Sequence, residues 1–387
     1  MKNQRILQGS STSVVTMASD SQNLTTPVRI EFEADTDSQI KKGVHKPIFA
    51  PIFTKKGSKG ARPKRVHLLV NPYSGKRKGR KIATHVAEKL REEGIKVEAH
   101  YSAYSGHLVL LASELTVKSG DLIVSVGGDG SFSEVLTGRM MLELGKKESY
   151  AIIPAGTGNS VAYDLNLNDV DIAINAILNG KKHAMDLARV ELTEGLPGSE
   201  GERMVRYSHN LVTWGLGVDS NIKAEKMRWL GPVRYDLGIL MAIMANGRRH
   251  ATLTLDGVEV DDDFTLFLIQ NSQTGGSELP LAPGASLDDG MMDIGILKKM
   301  HRRGILKAFG MLKKDGRHVF HPQVDYHRFK RLEITTEQPT AINIDGENLG
   351  STPLTMEVLP SIVNVMIPLS ELKVRKVIFR LFIKNPR

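Results

Sequence analysis

Leu122-Ile-Val-Ser-Val126 runs directly into Gly127-Gly128-Asp129-Gly130-Ser131, and this junction decides how the rest of the chain is read. Five mostly apolar residues fit a strand covered on both faces, ending in a turn. Ser131 and Glu134 have the spacing of a capping box opening a helix whose apolar face is Phe132, Val135 and Leu136. Strand, glycine turn and helix start together make an anion-binding geometry. The glycines allow positive φ and leave no Cβ to block a phosphate, and the N–H groups of the helix's first turn are free to meet one. A carboxylate beside a polyphosphate is out of place unless it handles a proton or a metal. For this turn alone, the alternative is a structural turn with a helix-capping Asp.

Two more loops of the same kind change the balance. Tyr150-Ala-Ile-Ile153 reads as a buried strand followed by Pro154-Ala155-Gly156-Thr157-Gly158-Asn159-Ser160. Earlier, Val66 to Val70 is a strand followed by Asn71-Pro72-Tyr73-Ser74-Gly75-Lys76 and a helix with Ile82, Val86 and Leu90 on one stripe. All three loops follow the carboxyl ends of strands, which in a parallel sheet form one ligand-binding edge. Neither the P-loop pattern nor GxGxxG after a strand occurs. A nucleotide is expected, held in neither of the two commonest ways.

These loops, in this order, resemble the catalytic region of the diacylglycerol kinase superfamily of lipid kinases, relatives of NAD kinase and phosphofructokinase. Gly215-Leu-Gly217-Val-Asp219, the run Ala224 to Tyr235, Leu281-Ala-Pro283, Asp288-Asp289-Gly290 and Ile344-Asp345-Gly346-Glu347 are similar to the sphingosine kinase and ceramide kinase branch. The similarity spans roughly residues 64 to 368. It implies an α/β nucleotide-binding domain with a parallel sheet, then a largely antiparallel β-sandwich-like domain.

The resemblance also implies roles. Asp129 is the general base that takes the proton of a lipid hydroxyl attacking the γ-phosphate of ATP. Gly127, Gly128, Gly130 and Ser131, with Glu134 in the same helix start, belong to the triphosphate cradle. Asn71, Ser74, Gly75 and Lys76 resemble the nucleotide loop, and Gly156, Thr157, Gly158 and Asn159 the loop that closes on it. Asp345, Gly346 and Glu347 lie near the phosphates, with Asp345 a Mg2+ ligand, because hard oxygen donors suit that ion. Asp219 is assigned to the substrate hydroxyl. The chain departs from sphingosine kinases at Asn221, where they carry a second acid; an amide offers no full charge to an ammonium. Sphingoid or ceramide-type lipids are expected first and diacylglycerol second. The rivals are an NAD kinase and a catalytically silent lipid-binding protein of the same fold.

Composition agrees. The 387 residues suffice for two domains, 41% of them are hydrophobic, and no run is long enough to span a bilayer. There is no cysteine, which excludes disulfides and cysteine nucleophiles. No secretory signal opens the chain, so a cytoplasmic location with peripheral membrane association is expected. The net charge of +9 favours nucleotides and anionic lipid surfaces. Nucleic acid ranks last, since aromatics do not interleave with the basic residues. Oligomeric state is left open.

Residues 1–60 read as a mobile polar arm, 61–184 as the α/β domain, and 185–369 as a β-rich lipid-substrate domain with one long helix at about 220–246. Its Met227, Trp229, Leu230, Val233, Leu237, Leu240, Met241 and Met244 read as core or as an acyl-chain surface. In residues 370–387, Val374, Val377, Ile378, Leu381 and Phe382 share a helical stripe, with Lys373, Lys376, Arg380 and Lys384 on another face. Such a helix fits an anionic interface or a packing role.

Overall fold

The computed structural model describes residues 28–29, 49–143, 148–195, 197, 201–227, 233–245, 247–276 and 278–369. The amphipathic segment 370–387, most of the expected arm and Trp229 and Leu230 lie outside them.

Four strands, β1 (Arg65–Val70), β2 (Lys96–Tyr101), β3 (Asp121–Gly127) and β4 (Ser149–Pro154), pair in parallel in the order β2-β1-β3-β4. β1, β3 and β4 are buried almost throughout, whereas the edge strand β2 is half open. The intervening helices are α1 (Gly79–Glu92), α2 (His107–Glu114), α3 (Asp129–Met140), α4 (Ser160–Asp164) and α5 (Val170–Asn179). α1 buries Ala83, Val86, Ala87 and Leu90, the three-and-four spacing of one helical face. α5 starts where the Asp169 carboxylate accepts from the N–H groups of Asp171 and Ile172.

The antiparallel part comprises β5 (Lys181–Glu194), β6 (Arg203–Ser208), β7 (Leu211–Gly215), β8 (Arg249–Leu255), β9 (Val258–Gln270), β10 (Met292–Lys298), β11 (Val324–Phe329), β12 (Arg331–Thr335), β13 (Ala341–Ile344) and β14 (Glu347–Ile367). The ladders β7-β9-β8-β12-β14-β13-β7 close a circuit. The inward residues Trp214, Phe264, Phe267, Leu253, Ile334, Ile342 and Met356 fill it. Trp214 stacks on Phe267 with ring centroids 4.6 Å apart.

Three differences from the sequence reading bear on the site. The single long helix is two, α6 (Leu216–Lys226) and α7 (Val233–Ala245). They cross closely at Gly238, where a Cβ would stand 2.6 Å from the Ser220 carbonyl. The end of the expected arm is docked. Ile52 is buried, and the Asp288 carboxylate accepts from the N–H groups of Thr54 and Lys55 and from the Thr54 hydroxyl. Finally, the tail of β14 pairs in parallel with β4, and Val363, Val365, Met366 and Ile367 join the α/β core, so no cut at residue 184 separates the two cores. An unexpected helix, α8 (Arg302–Asp315), buries Ile305, Ala308 and Leu312.

Candidate active site

The three loops meet along one rim because β1, β3 and β4 are parallel neighbours. Asn71 N–H donates to the Val126 carbonyl at 3.0 Å, and Ala155 and Gly156 N–H donate to the Gly127 carbonyl at 2.9 and 3.1 Å. Asn71 Nδ2 donates to Ser131 Oγ at 3.3 Å.

The glycines work by close approach. Gly127, Gly128 and Gly130 do not take positive φ, contrary to the expectation from sequence. Instead, a Cβ on Gly127 would strike the Ser131 side chain at 2.3 Å, and one on Gly156 would strike Gly128 Cα at 2.4 Å. A Cβ on Gly130 would press on Glu347 at 2.9 Å. Left-handed backbone occurs instead in the first loop, where Gly75, Lys76 and Arg77 have φ of 56°, 62° and 68°, and at Asn159 of the third, with φ of 47°. A Cβ on Gly75 would also meet the Ala155 carbonyl at 2.3 Å. Two consecutive non-glycine residues in that region are strained backbone held by their surroundings. Lys76 and Thr157 stand exposed at the tips of their loops, and Ser74 is half-buried with its Oγ near Gly127.

α3 opens at Gly128 with no side chain capping it, so the first-turn N–H groups face the rim without a side-chain partner. Asp129 sits on that turn but caps a different helix: it accepts from Ser160 N–H at 2.9 Å and Val161 N–H at 3.3 Å, at the start of α4. A carboxylate has about four acceptor positions, so capacity for a substrate proton remains. Burial raises its pKa above the ordinary range and Asp345 adds to the rise, against the opposing pull of His209 and the two N–H donors. Asn159 is a brace: its amide accepts from Gly156 N–H and donates to the Gly156 carbonyl, both at 3.0 Å.

Three assigned residues have partners within the fold. Glu134 does not cap its own helix. Its carboxylate accepts from the N–H groups of Gly106 and Leu108, each at 3.0 Å, and so holds the start of α2. Asp345, assigned to Mg2+ from sequence, is taken up by the fold. It is buried, and it accepts from Ser208 Oγ and from the N–H groups of His209, Asn210 and Leu211, between 2.8 and 3.2 Å. Asp219 is paired with Arg249, whose Nη2 donates to both carboxylate oxygens at 2.8 and 3.0 Å. It lines a hollow formed with Ile222, His250 and the Thr336–Ala341 turn. Asn221, about 200° further round α6, instead donates to the Gly346 carbonyl at 3.3 Å.

His209 had no motif to announce it. It lies buried under α3, edge-on to Phe132, with Nδ1 3.2 Å from Asp345 Oδ2. Burial opposes a charge on its ring, but Asp345 and Asp129 outweigh burial, so its pKa is raised. The same ion pair, opposing burial, holds Asp345 below the usual carboxylate range. Glu347 stands half-buried against Gly130, the residue after Asp129. Its hard oxygens fit a Mg2+ ion that keeps most of its waters.

A parallel-sheet rim of backbone N–H groups with one tuned carboxylate, leading into an antiparallel ring, defines a two-domain phosphate-handling enzyme. Residues 65–190 match the diacylglycerol kinase catalytic domain, and residues 210–367 match the YegS C-terminal NAD kinase beta sandwich-like domain. These two regions, together with the named kinases to which the chain is similar, make it a lipid kinase. It is 27% identical over 292 residues to a diacylglycerol kinase of Bacillus subtilis, covering 75% of this chain and 92% of that one. It is 26% identical over 346 residues to sphingosine kinase 1 of Arabidopsis thaliana, covering 75% and 69%. A diacylglycerol kinase structure from Bacillus anthracis superposes with a TM-score of 0.64 over 80% of this chain, at 22% identity, covering 99% of its own.

Proposed function

We propose that this lipid kinase uses ATP to phosphorylate the primary hydroxyl of an uncharged, diacylglycerol-type lipid, with Asp129 as general base. The reading rests on one observation: Asp129 stands where three strand-end loops meet, on a helix start whose N–H groups lack a side-chain partner. The triphosphate lies against those groups. Asp129 takes the hydroxyl proton as the lipid oxygen bonds to the γ-phosphorus. The bond from γ-phosphorus to the bridging oxygen breaks, and ADP departs. Mg2+, when bound, offsets phosphate charge, and Glu347 is the residue that would hold it.

The uncharged acceptor is favoured over a free sphingoid base by α6. An ammonium would seek an unpaired carboxylate, yet Asp219 is neutralised by Arg249 and Asn221 is an amide. This revises the preference stated from sequence. On α7, Leu240, Met241 and Met244 are exposed, and their spacing puts them on one face. That apolar face suits acyl chains or the lipid surface that carries them, and the net charge of +9 suits an anionic one. No helix among the described residues is long and apolar enough to cross a membrane.

The test is purified protein with labelled ATP and separate micelles of diacylglycerol, ceramide and sphingosine, with NAD in a fourth reaction. Label is expected in diacylglycerol, and Asp129→Asn should reduce it by roughly 10²–10⁴-fold. Label confined to NAD, or undiminished turnover in the variant, would overturn the reading.

A further inference from the structure

On the sheet's open side, β1 and β2 bring together three metal-binding side chains that the kinase mechanism does not use. His67 is opposite Glu98 in the parallel register, and Glu98 and His100 are two residues apart on β2, so they share a face. One ligand atom from each of the three lies within 4.8 Å of the others. His67 is 2% exposed and its Nδ1 makes no hydrogen bond but faces the Glu98 carboxylate, while His100 Nε2 has no partner. A buried imidazole nitrogen without a partner is a cost that a bound cation would remove.

The surroundings orient this set. Arg65 holds Glu98 Oε1 at 3.2 Å and Asp121 Oδ2 at 2.6 Å. That leaves Glu98 Oε2 turned to His67 Nδ1 at 3.3 Å, about the ligand-to-ligand edge of a tetrahedral zinc site with bonds near 2.0–2.1 Å. The other His67 nitrogen, Nε2, lies 3.4 Å from Asp121 Oδ2. A proton there, donated to Asp121, leaves Nδ1 as the ligating nitrogen, the carboxylate–histidine–metal arrangement of many zinc sites.

We propose that His67, Glu98 and His100 form a binding site for a divalent transition metal of the zinc type, which ties the edge strand β2 to β1. Two imidazoles and one carboxylate suit Zn2+, with a water in the fourth position, and do not suit Mg2+, which prefers oxygen alone. The site lies on the strands themselves, His67 four residues before the Asn71 loop, and is separate from the Asp129 rim.

The experiment uses untagged full-length protein stripped with a chelator, then titrated with Zn2+ against a chromophoric competitor, with thermal unfolding recorded in parallel. One Zn2+ per chain is expected, with a rise in Tm that millimolar Mg2+ does not reproduce. Glu98→Gln and His100→Gln are both partly exposed changes that conserve volume, and each should weaken Zn2+ binding by at least about tenfold. Their metal-free circular dichroism and Tm report that they have folded. No stoichiometric uptake by the wild type, or equal uptake by both variants, overturns the proposal.

Discussion

At the scale of single residues, the proposed base Asp129 stands apart from the acids that hold the fold. Burial raises Asp129, and a general base works only when ionised. Activity should therefore fall as pH drops through a value above the ordinary aspartate range, and the acid limb of the kcat/KM profile measures it. Asp345 has the opposite sign of shift and another role. Its removal would strip buried His209 of its counter-ion and leave the N–H groups of His209, Asn210 and Leu211 without their acceptor. Asp345→Ala should cost about 3–5 kcal/mol of stability, read from urea unfolding. Asp129 was legible in the sequence because a carboxylate in a glycine turn has few structural reasons to be there. Asp345 was not, because Asp-Gly-Glu after a strand looks the same whether the acid faces solvent or folds back over the Ser208–Leu211 corner. Glu134 misled in a similar way: the spacing to Ser131 was right for a cap, but its carboxylate serves α2, a partner that only tertiary structure brings near.

At the scale of elements, strands announced themselves through apolar runs, and β1, β3 and β4 were legible to within a residue at each end. What sequence could not give was the reason for the glycines, since a position that needs φ > 0 and one that needs an empty Cβ read identically. The structure assigns Gly128 and Gly156 to the second kind. In Gly156→Ala the new methyl would stand 2.4 Å from Gly128 Cα, a clash with backbone that only separation of the loops relieves. The expected result is a KM for ATP raised about tenfold or more with the lipid KM unchanged, measured by varying each substrate in turn. α8 escaped the sequence reading because Gly304 and Gly310 and a run of basic residues interrupt its pattern, although Ile305, Ala308 and Leu312 keep the helical spacing that buries them.

At the scale of the molecule, the two cores are sewn together by strands they share. β5 gives Met185 and Leu187 to the α/β core and Ala188, Val190 and Leu192 to the antiparallel one. β14 does the same, with Leu354, Met356 and Val358 on one side and Val363, Val365, Met366 and Ile367 on the other. A further tie is Asp164 at the end of α4, whose carboxylate accepts from Gln273 N–H, Thr274 N–H and the Thr274 hydroxyl. A chain stopped at residue 360 therefore loses four buried apolar side chains from the nucleotide-binding core, at about 1.5–3 kcal/mol each. That sum is comparable with the 5–15 kcal/mol that separates a typical domain from its unfolded state. Full-length protein should melt in one cooperative transition, whereas the piece spanning 61–184 should show none, because β4 would expose the edge that β14 covers. Calorimetry on both decides it: an independent, cooperative transition in the 61–184 piece would mean that the parallel sheet closes its own core and that β14 is an accessory strand.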